Sequence, residues 1–161
     1  MEERVVLITG AAKRVGRVVA MHLHHAGAKL IIHYGASKSD AMALVDTLNA
    51  ARQDSAVCLQ ADLCDLQTVK QLGQDALAVW GKVDVLINNA SSFYPTPLDK
   101  ATDVDWQKLM MPNVQAPYFL CQALAPSLKS QQGVIVNMAD IHAERPLKDH
   151  SIYTMAKAAV I

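Results

Sequence analysis

Five short apolar runs, separated by stretches with helical spacing, constrain this chain more than any other feature. They are "RVVLIT" (4–9), "KLIIHY" (29–34), "AVCLQAD" (56–62), "VDVLINNA" (83–90) and "GVIVNMA" (133–139). None of them alternates apolar with polar residues, as a strand with one wet face would. Continuous apolar runs of this length belong to strands covered on both faces. Between the first two, Val15, Val18, Val19 and Leu23 share one helical face, with Gly27 placed to end the helix. Ser37-Lys38-Ser39-Asp40 has capping-box spacing ahead of Ala41, Leu44, Val45 and Leu48. A third helix is predicted from Asp65 to Trp80, stopped by Gly81. Thr102 caps a fourth, interrupted near Pro112 and continuing to Lys129, and the chain is helical again from Ser151. "SSFYPTPLDKA" has two prolines and no period, so it is a loop.

Strands alternating with helices in this way predict one α/β domain over residues 1–161. It is a Rossmann-like, doubly wound parallel sheet with helices on both faces. The bulk numbers exclude several alternatives. Hydrophobic residues make up 52% of the chain and charged residues 19%, so it can bury a core and is not a disordered segment. Fifteen basic residues balance fifteen acidic ones, which gives no footprint for nucleic acid and no polybasic membrane anchor. No run approaches the roughly 18 apolar residues of a membrane span, and the charged start Met1-Glu2-Glu3-Arg4 is not a signal peptide. Cys58, Cys64 and Cys121 have irregular spacing and no CxxC, so they read as reduced thiols of a cytoplasmic protein. No metal site is expected. His22, His24 and His25 cluster on the first helix, far from the strand ends, and are expected to be surface or packing residues. Trp80 and Trp106 are read as helix packing.

In sheets of this kind ligands sit at the carboxyl ends of the strands. The first strand-to-helix turn reads Thr9-Gly10-Ala11-Ala12-Lys13-Arg14-Val15-Gly16. Its small residues let the backbone approach a pyrophosphate, and the amides opening the helix offer anion binding without a side chain. An acid that would bind a ribose 2′-OH is missing at the end of the second run, which continues His33-Tyr34-Gly35-Ala36-Ser37-Lys38. Lys13, Arg14, Ser37 and Lys38 instead offer charge and hydrogen bonds to a 2′-phosphate. The expected cofactor is therefore NADPH, although Ser37 can also be read as a simple helix cap.

Tyr153 and Lys157 are four residues apart on one helical face. A free tyrosine ionises near pH 10, about three units too high for easy exchange at neutrality, and a fixed ammonium beside it is expected to lower that value. Asp140 stands thirteen positions before the tyrosine (153 − 140).

TGAAKRVG (9–16), NNA (88–90), Asn113 and Tyr153-x-x-x-Lys157 resemble the short-chain dehydrogenase/reductase family in their order along the chain. Arg14 in place of a second glycine, "NNASSFYPTPL" (88–98), Asp140 in place of a serine and "IYTMAKAA" (152–159) resemble its pteridine reductase branch. The resemblance implies Tyr153, Lys157, Asp140 and Asn113 as catalytic residues, with Asn113 holding Lys157 through a water. It implies cofactor contacts from Gly10, Lys13, Arg14, Val15, Gly16, His33, Tyr34, Ser37, Asp62, Leu63, Asn88, Ala90, Ser91, Tyr153 and Lys157. Substrate contacts fall to Arg14, Ser91, Phe93, Asp140 and Tyr153, with Phe93 stacking a flat pterin against the nicotinamide. A carboxyl suits a ring rich in N–H donors better than it suits a ketone. The alternatives are Asp140 as a turn cap and Phe93 as a loop anchor.

The expected activity is NADPH-dependent reduction of a pterin or folate. Reduction of another carbonyl or imine, and nucleotide binding without catalysis, are the alternatives. The family also implies a homotetramer formed through the long helix of residues 103–129. It implies further strands and a substrate-covering loop after Ile161, so the sequence is expected to be an incomplete record with one sheet edge open. The stretch after Tyr34 lacks the arginine that relatives use on the 2′-phosphate.

Overall fold

The computed structural model describes residues 1–161. Five strands, β1 (Val5–Ile8), β2 (Lys29–Tyr34), β3 (Ala56–Gln60), β4 (Val85–Asn88) and β5 (Val134–Asn137), form one sheet in the order β3-β2-β1-β4-β5. Every pairing is parallel, with Val6 opposite Leu30 on one side and Val85 on the other. Winding runs one way from β1 through β2 and β3, and the other way through β4 and β5. The reversal leaves a crevice above the carboxyl ends of β1 and β4.

The strand period of two divides the core into layers. Val6, Ile8, Leu30, Ile32, Val85 and Ile87 point to one face, where Ala20 of α1 (Arg14–His25) and Ala41, Leu44 and Leu48 of α2 (Lys38–Ala51) cover them. Val5, Leu7, Ile31 and Leu86 point to the other. There Val69, Leu72 and Ala76 of α3 (Leu66–Trp80) meet Leu120, Leu124 and Leu128 of α5 (Ala116–Ser130). Two-sided cover explains why the runs do not alternate in hydropathy. The expectation fails at β5, whose four residues are all exposed, Val134 by 53%. This strand pairs with β4 alone, at the edge of the sheet that was expected to stay open.

Helix ends follow their local chemistry. Gly27, with φ +94°, closes α1 after the Ala26 C-cap: its amide donates to His24 O and that of Ala28 to Leu23 O. Thr102 and Asp105 form a full capping box at α4 (Asp103–Met110). Ser37, by contrast, makes no side-chain cap at α2, against its reading as a capping residue. Pro112 lacks the amide that would continue the ladder, and residues Met111–Gln115 widen into a π turn before α5. A 3₁₀ turn (Ile141–Ala143) and α6 (Ser151–Ala158) complete the elements. Trp80 is partly buried, with the Lys29 ammonium 5.8 Å from its ring centroid, whereas Trp106 is 46% exposed and packs less than expected. His24 is buried and bonded to Ser55 Oγ at 2.7 Å, with His22 and His25 exposed, all away from the strand ends. The three cysteines are free, and no helix is long and apolar enough to cross a membrane.

Candidate active site

The crevice is a cleft of about 460 Å³ lined by Gly10, His33, Gly35, Ala36, Asp62, Leu63, Ala90 and Ser91, among others. A second arm, sharing Gly10, Ala90 and Ser91, opens over Lys13, Arg14, Val15 and Gly16 at the start of α1. Two glycines give this arm its shape. Gly10 has φ +62°, and a Cβ there would press on Ala90 Cα at 3.0 Å. A Cβ on Gly16 would meet Asn89 Nδ2 at 2.6 Å and Gly10 O at 2.7 Å.

The amides of residues 12 to 16 meet no acceptor within the protein, because the first turn of a helix has none to offer. A row of unpaired N–H groups under a small-residue turn fits a pyrophosphate, and the longer cleft fits the rest of a dinucleotide. Arg14 opens α1 with φ +51°, a left-handed backbone that costs an L-residue roughly 1 kcal/mol. This geometry explains why a glycine would be easier at that position.

Several expected cofactor contacts are already engaged within the protein. Lys13 Nζ pairs with Asp40 Oδ2 at 2.9 Å, so its charge is already engaged. Tyr34 is buried in the core under α1 and α2. His33 is 2% exposed and turns both ring nitrogens to protein groups. Asn88 is buried, donates to Asn137 Oδ1 at 2.8 Å and keeps Oδ1 without a partner. Asp62 Oδ1 accepts from the Cys64 amide and so shapes the turn after β3.

The loop after β5 and helix α6 bring Asp140 and Tyr153 together. Tyr153 donates its hydroxyl to Asp140 Oδ2 at 2.6 Å. Oδ1 of the same carboxylate accepts the His142 amide at 3.0 Å and caps the 3₁₀ turn. Capping and pairing with the phenol thus coexist, one oxygen for each. The His142 amide, the Tyr153 hydroxyl and nearby charges hold Asp140 below the usual carboxylate range, against the opposing effect of burial. Burial, together with the negative charge of Asp140, pushes the Tyr153 phenol well above its ordinary value. This reverses the expectation that Lys157 would lower it, because the phenol is buried and bonded to the carboxylate while the ammonium donates to Met138 O.

Lys157 is 4% exposed and donates from Nζ to Met138 O at 2.7 Å. Burial lowers its pKa, with Asp140 acting in the opposite direction.

Asn113 lies in the π turn. Its Nδ2 takes the Leu109 carbonyl at 2.8 Å, which an α-helix would have given to the Asn113 backbone amide. The same nitrogen donates to Ser92 O, and Oδ1 accepts from Ser91 Oγ at 2.7 Å. These bonds tie Asn113 to the loop after β4. Phe93, 54% exposed, stacks on His150 with centroids 4.7 Å apart and meets Tyr153 edge-on at 4.8 Å.

Two residues of the site had not been singled out from the sequence. His150 gave no signal, being one polar residue before a helix. Asn89 lay inside the "NNA" stretch: its Nδ2 donates to Thr9 O and Gly10 O, fixing the glycine turn.

A parallel sheet in the order 3-2-1-4-5, an anion-ready turn after β1 and a tyrosine–lysine pair after β5 place the chain in a class of nucleotide-binding oxidoreductase folds. The family model described as short chain dehydrogenase matches residues 4–161, and the chain belongs to that family. Membership implies a nicotinamide cofactor. The chain is similar to Pteridine reductase 1 of Leishmania tarentolae, 39% identical over 194 aligned positions that cover 97% of this chain and 67% of that protein. It is also similar to the Hydroxynaphthalene reductase-like protein Arp2 of Metarhizium anisopliae, at 30% identity over 98% of this chain and 58% of the other. A third relative, Short-chain dehydrogenase/reductase GME11373 of Pestalotiopsis microspora, is 28% identical, with 60% of its length spanned.

Proposed function

We propose that the protein reduces the C=N bond of a dihydropteridine, dihydrobiopterin or a folate, to the tetrahydro form with NADPH. The observation that carries this reading is the 2.6 Å bond from the Tyr153 hydroxyl to Asp140. A carboxylate accepts hydrogen bonds and has none to donate until it is protonated, so it matches the N–H donors of an aminopyrimidine ring and repels a carbonyl oxygen. The similarity to a protein named pteridine reductase supports the same substrate class.

The cofactor, when bound, supplies hydride. The unpaired amides of residues 12 to 16 would hold its pyrophosphate, and Lys157 at the tyrosine end would hold ribose hydroxyls. The uncapped hydroxyl of Ser37, with Lys38 and Arg14, would take a 2′-phosphate, since Lys13 is paired with Asp40. Tyr153 keeps its proton at neutral pH and passes it to the ring nitrogen. Asp140, after taking a proton from solvent, restores it to the phenolic oxygen. Phe93 would present its exposed face to the ring, and Ser91, held by Asn113, would face both cofactor and substrate. Val104, Trp106 and Tyr118 are exposed on α4 and α5, which supports assembly of a homotetramer through those helices.

NADPH oxidation by the full-length protein tests the reading. Turnover is expected with dihydrobiopterin and not with simple ketones. The reverse preference would move the protein to the carbonyl reductases.

A further inference from the structure

His33 was expected among the cofactor contacts, yet its imidazole has no free nitrogen to offer. It lies at the carboxyl end of β2, 2% exposed, between the turn after β1 and the end of β3. The Gly10 amide donates to its Nδ1 at 3.1 Å. Its Nε2 is 3.1 Å from Ala61 O, a group that can only accept. These two partners admit one tautomer: neutral, with the proton on Nε2 and the lone pair on Nδ1. The backbone repeats the grip, since the Ala11 amide donates to His33 O at 3.1 Å. Two successive amides of the glycine turn are thus fastened to one residue. From the opposite side Asn89 Nδ2 holds the Thr9 and Gly10 carbonyls at 2.9 and 3.1 Å.

We infer that His33 is a positioning residue for the cofactor site: its Nδ1 fixes the Gly10 amide inward and so sets the conformation in which the amides of residues 12 to 16 stay free for an anion. The inference rests on the nucleotide reading above and deepens it. Gly10 has φ +62°, a conformation that its own flexibility does not enforce, because glycine populates both signs of φ about equally. An external acceptor is what selects it. Without that acceptor the half-buried Gly10 amide would lose its partner within the protein, and the turn would be free to move to satisfy it. Burial depresses the pKa of His33, which keeps the ring in the neutral form that this role requires. Lys13 and Arg14 after β1, Asp40 on α2, and Asp62 and Cys64 after β3 surround the region, and none of them hydrogen-bonds to the imidazole.

The test uses full-length protein and NADPH as the probe. In His33→Leu the acceptor is lost, and NADPH binding, read by fluorescence titration, is expected to weaken roughly tenfold or more. In His33→Asn the side-chain oxygen can take the place of Nδ1, and affinity is expected to return to within a few-fold of wild type. A long-range ¹H–¹⁵N spectrum of the ligand-free wild type, its signals assigned by their loss in His33→Asn, should show Nδ1 bare and Nε2 protonated. Should the leucine variant not fold, this spectrum decides. Unchanged NADPH affinity in a folded His33→Leu protein, or a proton found on Nδ1, overturns this inference alone. Wild-type protein that binds no NADPH overturns the nucleotide reading and this inference with it.

Discussion

The two sides of the sheet are held by different forces. On the β1–β2–β3 side, the residues of β1 and β2 are buried between two helical layers, and the cleft is shaped by backbone and small side chains. On the β4–β5 side the outer strand is exposed, and the reacting residues rest on a core cluster of only three, Leu109, Ile152 and Tyr153. Polar bonds do the ordering there: Tyr153 to Asp140, Lys157 to Met138 O, and Asn113 to Ser91 and Ser92. Apolar burial can place most of a nucleotide cleft, whose groups are largely backbone, and leaves only the glycine turn to the bonds of His33 and Asn89. A proton path needs named atoms within hydrogen-bond distance, and directional bonds supply that.

Substitutions can break or sharpen this contrast. The largest effect on stability is expected at Asp84, which anchors the foot of the sheet between the two sides. Its carboxylate is buried and accepts the Val5 amide at 2.8 Å, with Lys82 at 3.0 Å and Arg4 at 3.2 Å. Burial raises its pKa, but those partners outweigh burial and hold it below the ordinary value. Asp84→Asn should cost about 3 kcal/mol in denaturant unfolding at neutral pH. A depressed carboxylate gives its full contribution above the unfolded pKa of about 4 and loses it as pH falls through the lower folded value. The gap between wild type and variant should therefore shrink below pH 4, and a gap independent of pH would contradict the ion-pair account.

Next in size is Gly16→Ala. Its Cβ would lie within 2.8 Å of Asn89 Nδ2, Gly10 O and Ala11 Cα, two of them backbone atoms with little room to yield. A loss of about 2 kcal/mol is expected, together with weaker NADPH binding. Binding at wild-type affinity would show that the turn is less tightly built than the β1 side implies. The smallest effect is expected at Arg14, and it has the opposite sign. Arg14→Gly removes the strain of φ +51° and should stabilise the fold by up to about 1 kcal/mol while weakening the hold on cofactor phosphate. Thermal unfolding with and without NADPH separates the two.

The same contrast explains what the sequence made legible. Strand order, layers and the glycine turn follow from hydropathy period and small residues, so β1 to β4 lie within two residues of where the apolar runs put them. β5 was expected to be covered because an apolar run reports what a strand prefers, not what lies across it. At the site, the spacing of Asp140, Tyr153 and Lys157 was readable, but the direction of the Tyr153 shift was not. Spacing shows that an ammonium is near, whereas the shift depends first on burial and then on which neighbour forms the hydrogen bond. His150 against Phe93, and the turn of Asn113 toward Ser91, depend on the loop after β4 folding over α6, which no local pattern encodes.

The central claim is that the carboxyl of Asp140, paired with the phenol of Tyr153, carries the proton that completes ring reduction. Its most direct test is the pH dependence of dihydrobiopterin turnover at saturating NADPH in wild type and Asp140→Asn. Because Asp140 is held below the usual carboxylate range, its protonated fraction falls tenfold for each pH unit above that value. Wild-type turnover should therefore rise as the solution becomes more acid, and the asparagine variant should lose about a hundredfold in rate along with that slope. Equal turnover and an equal pH profile in the two proteins would contradict the account.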